Sequence, residues 1–543
     1  MTLDWFNKLG DWNPQVFREV KGHLNRRNLI ITLSTSFALQ LVVLLGFAIA
    51  LPGEHTSYNI YCTGTASGSL EQCIKQLGVV QVNWQRWWAD LFQVMSWGMT
   101  FIVLVAGVYL LISDLAKEER RGTFNFIRLS PQTSEQILLG KLLGVPIVPY
   151  LTVAAAIPLH IAAAVWGQIP LMVVLSIYLF AIAVDAFFYT GSLLFAFLGG
   201  TQGWIGALVA TGAFFSFFQI YQSWYWMAKN EIFWYWFGFP FSSQVRYGLG
   251  FALVTLSVGT YWIWQAVNRR FRNPNTTLLS KGQSYCMTAS FELWMLGFAF
   301  QTTSVADRPL EMLLVLVVFN LPWFLLLTVA LTPQRQEILD WARYRHQQGC
   351  QQDRQSRSFR KSLLQDLIWG EKSPALLAIG LNFLLTIGLY SLWMLNWHMG
   401  KSELIPGGYE PLVEDTLPGL LLRAVASLLL NAVFLLICAA IVQLGMLLKS
   451  AKRSVWITVI VGGLILLPPF VLGVLAISPS SMALPWLFTA FAFVAVSDAA
   501  LLTIGLGLLG QVVVLAGLTA RLTRQLQKVG ETESKALLAG TKV

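Results

Sequence analysis

Leu29–Leu51 contains no charged residue, and apolar runs of similar length return along the whole chain. Crossing about 30 Å of hydrocarbon takes roughly 20 residues at about 1.5 Å rise each, so such a run is long enough to span a bilayer. Open loops and sheet edges cannot sit in lipid, because nothing there satisfies their backbone polar groups. We place such runs near 29–51, 91–113, 142–166, 171–198, 204–222, 241–266, 286–304, 310–331, 374–397, 418–448, 454–477 and 484–520. They predict an all-α, polytopic helical membrane protein of about 12 transmembrane helices. Composition agrees. Charged residues make up 12% of the chain, against about 25% in soluble domains, and mean hydropathy is +0.61. The opening MTLDWFNKLGDW has no signal-peptide pattern.

Lys and Arg set orientation. The polar segments 1–28, 114–141, 268–285, 332–373, 449–453 and 521–543 alternate with the runs and hold 30 of the 37 basic residues. Both termini are therefore expected in the cytoplasm. The net charge of +10 is explained by anionic lipid headgroups and an acidic partner, without nucleic acid.

One polar segment is more than a connector. Asp114–Lys141 carries nine charges, yet Phe124, Ile127 and Leu129 recur inside it at helical spacing. Thr123 is placed to cap a short helix that Ser130-Pro131 ends, and Thr133 with Gln136 reads as a capping box for the next. An ordered amphipathic element between two spans offers a docking surface. Upstream, Asn13 to Arg27 reads as a helix on the membrane surface, capped by Asn13 with Pro14 in its first turn. Val16, Phe17, Val20 and Leu24 share one face, and Arg18, Glu19, Lys21 and Arg26 the other. The plainer reading is a basic flank.

The loop 52–90 holds two of the five cysteines, Cys62 and Cys73. They form a disulfide if the loop faces an oxidising compartment and stay free thiols otherwise. Trp84, Trp87 and Trp88 mark an interfacial belt. The aromatic stretch 224–240 reads as short helices in the outer interface, and Pro485 to Ser497 as a re-entrant or interfacial piece. Within the runs, Asp185, Glu292 and Asp498 stand out, with Asn320, Asn382 and Asn431 as companions. They form either a polar pathway or relay, or interhelical hydrogen bonds. Soluble-site chemistry is mostly excluded. MGKS (399–402) has Leu395 where a phosphate loop needs Gly. Glu118-Glu119 has Thr123 where an intramembrane protease of the CAAX type carries Arg.

The segment 118–144, through Glu119, Gly122-Thr123, Phe124 to Leu129, Pro131 and Gly140-Lys141, resembles the cytoplasmic loop of ABC-2 type permeases, the membrane subunits of certain ABC transporters. Residues 13–28, through Asn13, Pro14, Arg18, Glu19 and Arg26-Arg27, are similar to that family's leading amphipathic helix, and the details resemble cyanobacterial members. The resemblance covers roughly residues 10–275. It implies an exporter subunit of the bacterial plasma membrane that has no cofactor of its own. ATP and Mg belong to a separate nucleotide-binding subunit, which would dock on Glu118, Glu119, Gly122, Thr123, Phe124, Phe126, Ile127, Leu129 and Pro131. It also implies a six-span unit at 1–275 that works as a dimer. Residues 276–543 then make a second six-span unit, either a degenerate copy that completes a fused pseudo-dimer or an accessory domain, in which case the chain is expected to form a homodimer. A polytopic enzyme or a scaffold acting on lipids or glycans are the competing classes, and a neighbouring gene for a stand-alone ATPase would separate them.

Overall fold

The computed structural model describes residues 10–67, 70–76, 79–230, 233–300, 309–351, 357–395, 417–450 and 452–540. Two compact units divide the chain: residues 1–233 with 242–272, and residues 234–241 with 273–543.

The first unit begins with helix α1 (Pro14–His23) and the apolar α2 (Arg26–Ile49). Leu24 and Asn25 break the helix between them, so the span begins at Arg26. Phe37, Leu41, Val42 and Leu45 of α2 lie exposed, as side chains facing lipid would. The following loop forms two small antiparallel sheets. One pairs β1 (Tyr58–Asn59) and β2 (Ala66–Ser67) with a central β3 (Leu70–Gln72), and the other pairs β4 (Lys75–Gln76) with β5 (Val79–Val80). Cys62 and Cys73 are joined there by a disulfide with Cα atoms 4.8 Å apart. Closing so short a loop is worth about 3 kcal/mol. Mass spectrometry of non-reduced peptides should therefore recover a linked 62–73 pair, and two alkylated free thiols would contradict it.

Helix α3 (Trp84–Arg120) is the spine of this unit. Its N-terminal aromatics pack edge to face, Trp87 against Phe47, Trp84 and Trp88, and the Trp87 indole donates to the Phe47 carbonyl at 3.0 Å. After the short α4 (Thr123–Arg128) and α5 (Ser134–Gly144), the run expected at 142–166 is broken into α6 (Ile147–Ala154) and α7 (Ile157–Trp166). Pro146, Pro149 and Pro158 each lack the N–H that a continuous ladder needs. Helices α8 (Leu171–Phe197), α9 (Gly203–Lys229) and α10 (Val245–Arg272) complete the unit around a core that includes Leu104, Leu111, Ile112, Leu138 and Leu193.

The second unit takes α11 (Lys281–Ala299), α12 (Pro309–Leu331), α13 (Arg335–Gln351), α14 (Arg357–Trp369), α15 (Leu376–Met394), α16 (Leu417–Met446) and α17 (Arg453–Val474). Two one-turn helices follow, α18 (Ala483–Trp486) and α19 (Phe493–Val496), before the long α20 (Leu501–Gly540). Pro485 to Ser497, expected as a re-entrant or interfacial piece, thus lies in short helices and turns set apart from α20. The stretch 224–240 differs from expectation. Helix α9 runs on to Lys229, and the described remainder forms a turn seated on α11. Phe237 N–H donates to the Gly297 carbonyl at 2.7 Å, and the Trp236 indole donates to that of Trp294 at 3.0 Å. Gly297 has no side chain because Trp236 occupies that space.

Among the described residues, ten helices are long and apolar enough to cross a membrane. The other two expected spans are the helices α10 and α11, which fall short in apolarity. Helix α10 carries Arg246, Arg269, Arg270 and Arg272, and α11 carries Lys281 and Glu292.

Candidate functional site

The segment 114–141 and helix α1 are joined by a single buried cation. Lys141, on α5, is 1% exposed. Its Nζ lies 2.6 Å from Asp114 Oδ2, 2.8 Å from Glu19 Oε1 and 2.8 Å from Glu118 Oε1. Arg18 completes the cluster at 2.9 Å from both Glu19 and Glu118. Burial pulls the Lys141 ammonium down, yet Asp114, Glu19 and Glu118 together raise it above the usual lysine range. For Glu19, burial is the largest influence and would raise the carboxyl, but Lys141 and Arg18 outweigh it and hold it below the usual range. The ligand atoms of Glu19, His23 and Asp114 lie within 4.8 Å of one another. The Lys141 ammonium already bridges two of these groups and supplies their positive charge, so the donor set does not call for a metal ion.

Glycine makes the close approach of α1 to α5 available. A Cβ on Gly140 would come within 2.5 Å of Gln15 Cβ, and one on Gly144 within 2.5 Å of Glu19 Cβ. Asn13 caps α1, accepting from Gln15 N–H at 3.0 Å and Val16 N–H at 3.2 Å, and its amide donates to the Gln136 carbonyl at 2.8 Å. Pro14 stands in the first turn as expected. One expectation for α1 is corrected. Glu19 is buried at 7% exposure and is not on the solvent face, because Lys141 draws it inward. The helix packs on α5.

On this base sits α4. Gly122 turns the chain at φ +68°, a conformation that favours glycine. Thr123 is not the cap expected of it. Its hydroxyl donates back to the Glu118 carbonyl at 3.2 Å. The capping box of Thr133 and Gln136 is present on α5. Ile127, expected to point at a partner, is buried in the core of the first unit. The Arg128 guanidinium lies 5.7 Å from the Phe271 ring centroid on α10. With those two residues anchored, Phe126 is left 76% exposed and Leu129 83% exposed. Glu119 and Pro131 are exposed beside them, and of Phe124 the structure describes the backbone alone. The end of α10 braces α5, where Ser134 Oγ meets Asn268 Oδ1 at 2.5 Å and Arg272 Nε donates to Ser134 Oγ at 2.9 Å. Two exposed apolar side chains thus stand on a charged, braced platform continuous with α6.

The three acidic residues expected within spans lie on different elements. Asp185 lies on α8 of the first unit, with its Oδ1 buried and lacking a hydrogen-bond partner. Glu292 lies on α11 of the second unit at 0% exposure. Asp498 is corrected: it stands exposed in the turn before α20, outside any helix.

Arg423 and His160 are among the buried polar groups that escaped the sequence reading. Arg423 on α16 donates to the carbonyls of Val496 and Ala499 at 2.6 and 2.7 Å and so satisfies the end of the one-turn α19. A charge inside the run 418–448 was the available signal. His160 lies between Ser96 Oγ and the Tyr178 hydroxyl, 2.8 Å from each. The Ser96 hydroxyl donates to the Phe92 carbonyl and the group sits deep in a core cluster, so this is a satisfied core histidine.

Among known families, curated proteins and solved structures, nothing matches the chain. Its fold defines its class: an integral, multi-pass, all-α membrane protein.

Proposed function

We propose that this chain is the membrane subunit of an ATP-driven exporter of the ABC-2 kind, and that the platform around Lys141 receives a separate nucleotide-binding subunit. The observation that carries this reading is the pair Phe126 and Leu129, standing exposed on a helix whose neighbours Ile127 and Arg128 are anchored. Apolar side chains on a rigid base suit an aromatic-lined cleft in a partner, while Glu119 at the edge suits orientation by charge. The resemblance of 13–28 and 118–144 to permease segments supports the same assignment. ATP and Mg remain with the partner. A push on α4 would travel through α5, which Lys141, Gly140 and Gly144 hold against α1, into the broken span α6–α7.

Affinity purification of the tagged full chain from its own membrane tests the reading. It should recover an ATPase carrying a phosphate-binding loop, with hydrolysis stimulated by the permease. Preparations free of such an ATPase at every detergent tried would overturn it.

The orientation in this proposal has its own check. Single cysteines at Ser57 and Arg121, both exposed, should behave differently toward an impermeant thiol reagent. Ser57→Cys should label in intact cells and Arg121→Cys only after permeabilisation. Equal labelling from outside would contradict a cytoplasmic platform.

A further inference from the structure

In the second unit two helices face each other along matched polar ladders. Helix α11 presents Ser284, Thr288 and Glu292, and α15 presents Asn382, Thr386 and Tyr390, each set at successive intervals of four residues. All six are at most 3% exposed. The Thr386 hydroxyl lies 2.8 Å from Glu292 Oε1, and the Tyr390 hydroxyl 2.6 Å from Oε2. Asn320 of α12 donates to the Tyr390 hydroxyl at 2.8 Å, and Asn382 donates to Ser284 Oγ at 3.1 Å. Glu292 has no ion-pair partner among the described residues. Tyr390 is the titratable group that faces it from α15. Helix α12 contributes Asn320 and, among its described side chains, no charge. Helix α14 meets the opposite end of α11, where Lys281 donates to the Leu367 carbonyl and to Ser373 Oγ. Arg423 on the neighbouring α16 donates to the carbonyls of Val496 and Ala499.

A carboxylate buried without a cation is costly and is relieved by a proton. Two features go beyond a static protonated carboxyl. First, Thr386 Oγ1 is 2.8 Å from Glu292 Oε1 and also 3.2 Å from the carbonyl of Asn382. With the carboxyl protonated, Glu292 donates to Thr386 and Thr386 donates to that carbonyl. With it ionised, the Thr386 hydroxyl turns and donates to the carboxylate. Both protonation states are satisfied by one hydroxyl rotation. Second, Thr288 Oγ1 and Asn382 Oδ1 in the seam and Asn320 Oδ1 beside it are buried with no hydrogen-bond partner among the described residues. Buried polar atoms of this kind are normally satisfied by ordered water.

We propose that the α11–α15 seam is a proton-exchange site, with Glu292 as the proton carrier and water held by Thr288, Asn320 and Asn382 as the donor and acceptor. On release the carboxyl O–H bond breaks, the proton passes to that water, and the Thr386 hydroxyl swings to the carboxylate. Uptake reverses each step. The Lys281 end of the seam is the polar end, about 16 Å away at helical rise.

Infrared spectroscopy of the full chain, titrated from mildly acidic to mildly alkaline pH, reads this directly. The carbonyl stretch of a protonated carboxyl should be present at the acidic end, absent from Glu292→Gln, and lost as pH rises. Tyr390→Phe removes a donor to the ionised form, so its band should persist to higher pH, and this holds even if Glu292→Gln fails to fold. A band that stays constant throughout, or no such band in the wild type, would overturn the proposal. So would a band removed by sodium at fixed pH, which would make the seam a metal-cation site.

Discussion

Lys141→Met should destabilise the chain by about 3–5 kcal/mol, the usual cost of removing one partner from a buried ion cluster. Three carboxylates converge on Lys141 Nζ within 2.8 Å. Without the ammonium they are left crowded, with Arg18, which is half exposed, as the remaining positive neighbour. Thermal unfolding of the purified full chain should show the loss. Adding Glu19→Gln and Glu118→Gln to Lys141→Met should restore part of it, because the charges themselves are then gone. The pH dependence gives an independent sign. The Glu19 carboxyl is held below its unfolded value, so its contribution is complete above the ordinary carboxylate range and drains as pH falls through the lower folded value. The Lys141 ammonium is held above its unfolded value, so its contribution is complete below the ordinary lysine range and is lost as pH rises through the raised value. Wild type should therefore be most stable across neutral pH. Lys141→Met should instead gain stability on mild acidification, as protonation relieves its carboxylates. A variant that melts like wild type would mean the cluster does not hold α1 to α5.

Phe126→Ala together with Leu129→Ala should weaken ATPase binding at least about thirtyfold, since losing one aromatic anchor alone costs about 2 kcal/mol. The melting temperature of the permease alone should stay put, because both side chains are mostly exposed. Ile127→Ala gives the opposite pattern. Its side chain is 8% exposed within the core, so truncation should cost the permease about 2–5 kcal/mol. If the double variant binds the ATPase as wild type does, the docking surface lies elsewhere.

The helical class, the cap at Asn13, the capping box at Thr133 and a separate piece before the last span could all be read from residue order. Each depends on neighbours close in sequence. What could not be read depends on which distant residue lies opposite. Ile127 and Phe126 look equivalent on a short helix until α10 and the core beneath it fix the inward face. Glu19 looks like a solvent-face charge until Lys141, far along the chain, draws it in. Asp498 falls within an apolar run of the sequence, but the chain turns there and leaves it exposed. The Glu292 seam was half legible: the acid and its asparagines stood out. The ladder that aligns them with Thr386 and Tyr390 required the pairing of α11 with α15.

The exposed face of α4 is the proposed seat of the ATPase. A photo-crosslinking amino acid placed at Phe126, activated in native membranes, tests it at a single position. The account predicts one dominant product joining the permease to a nucleotide-binding subunit, diminished when Leu129 is also replaced by Asp. Crosslinks that run only to lipid or back into this chain would contradict it.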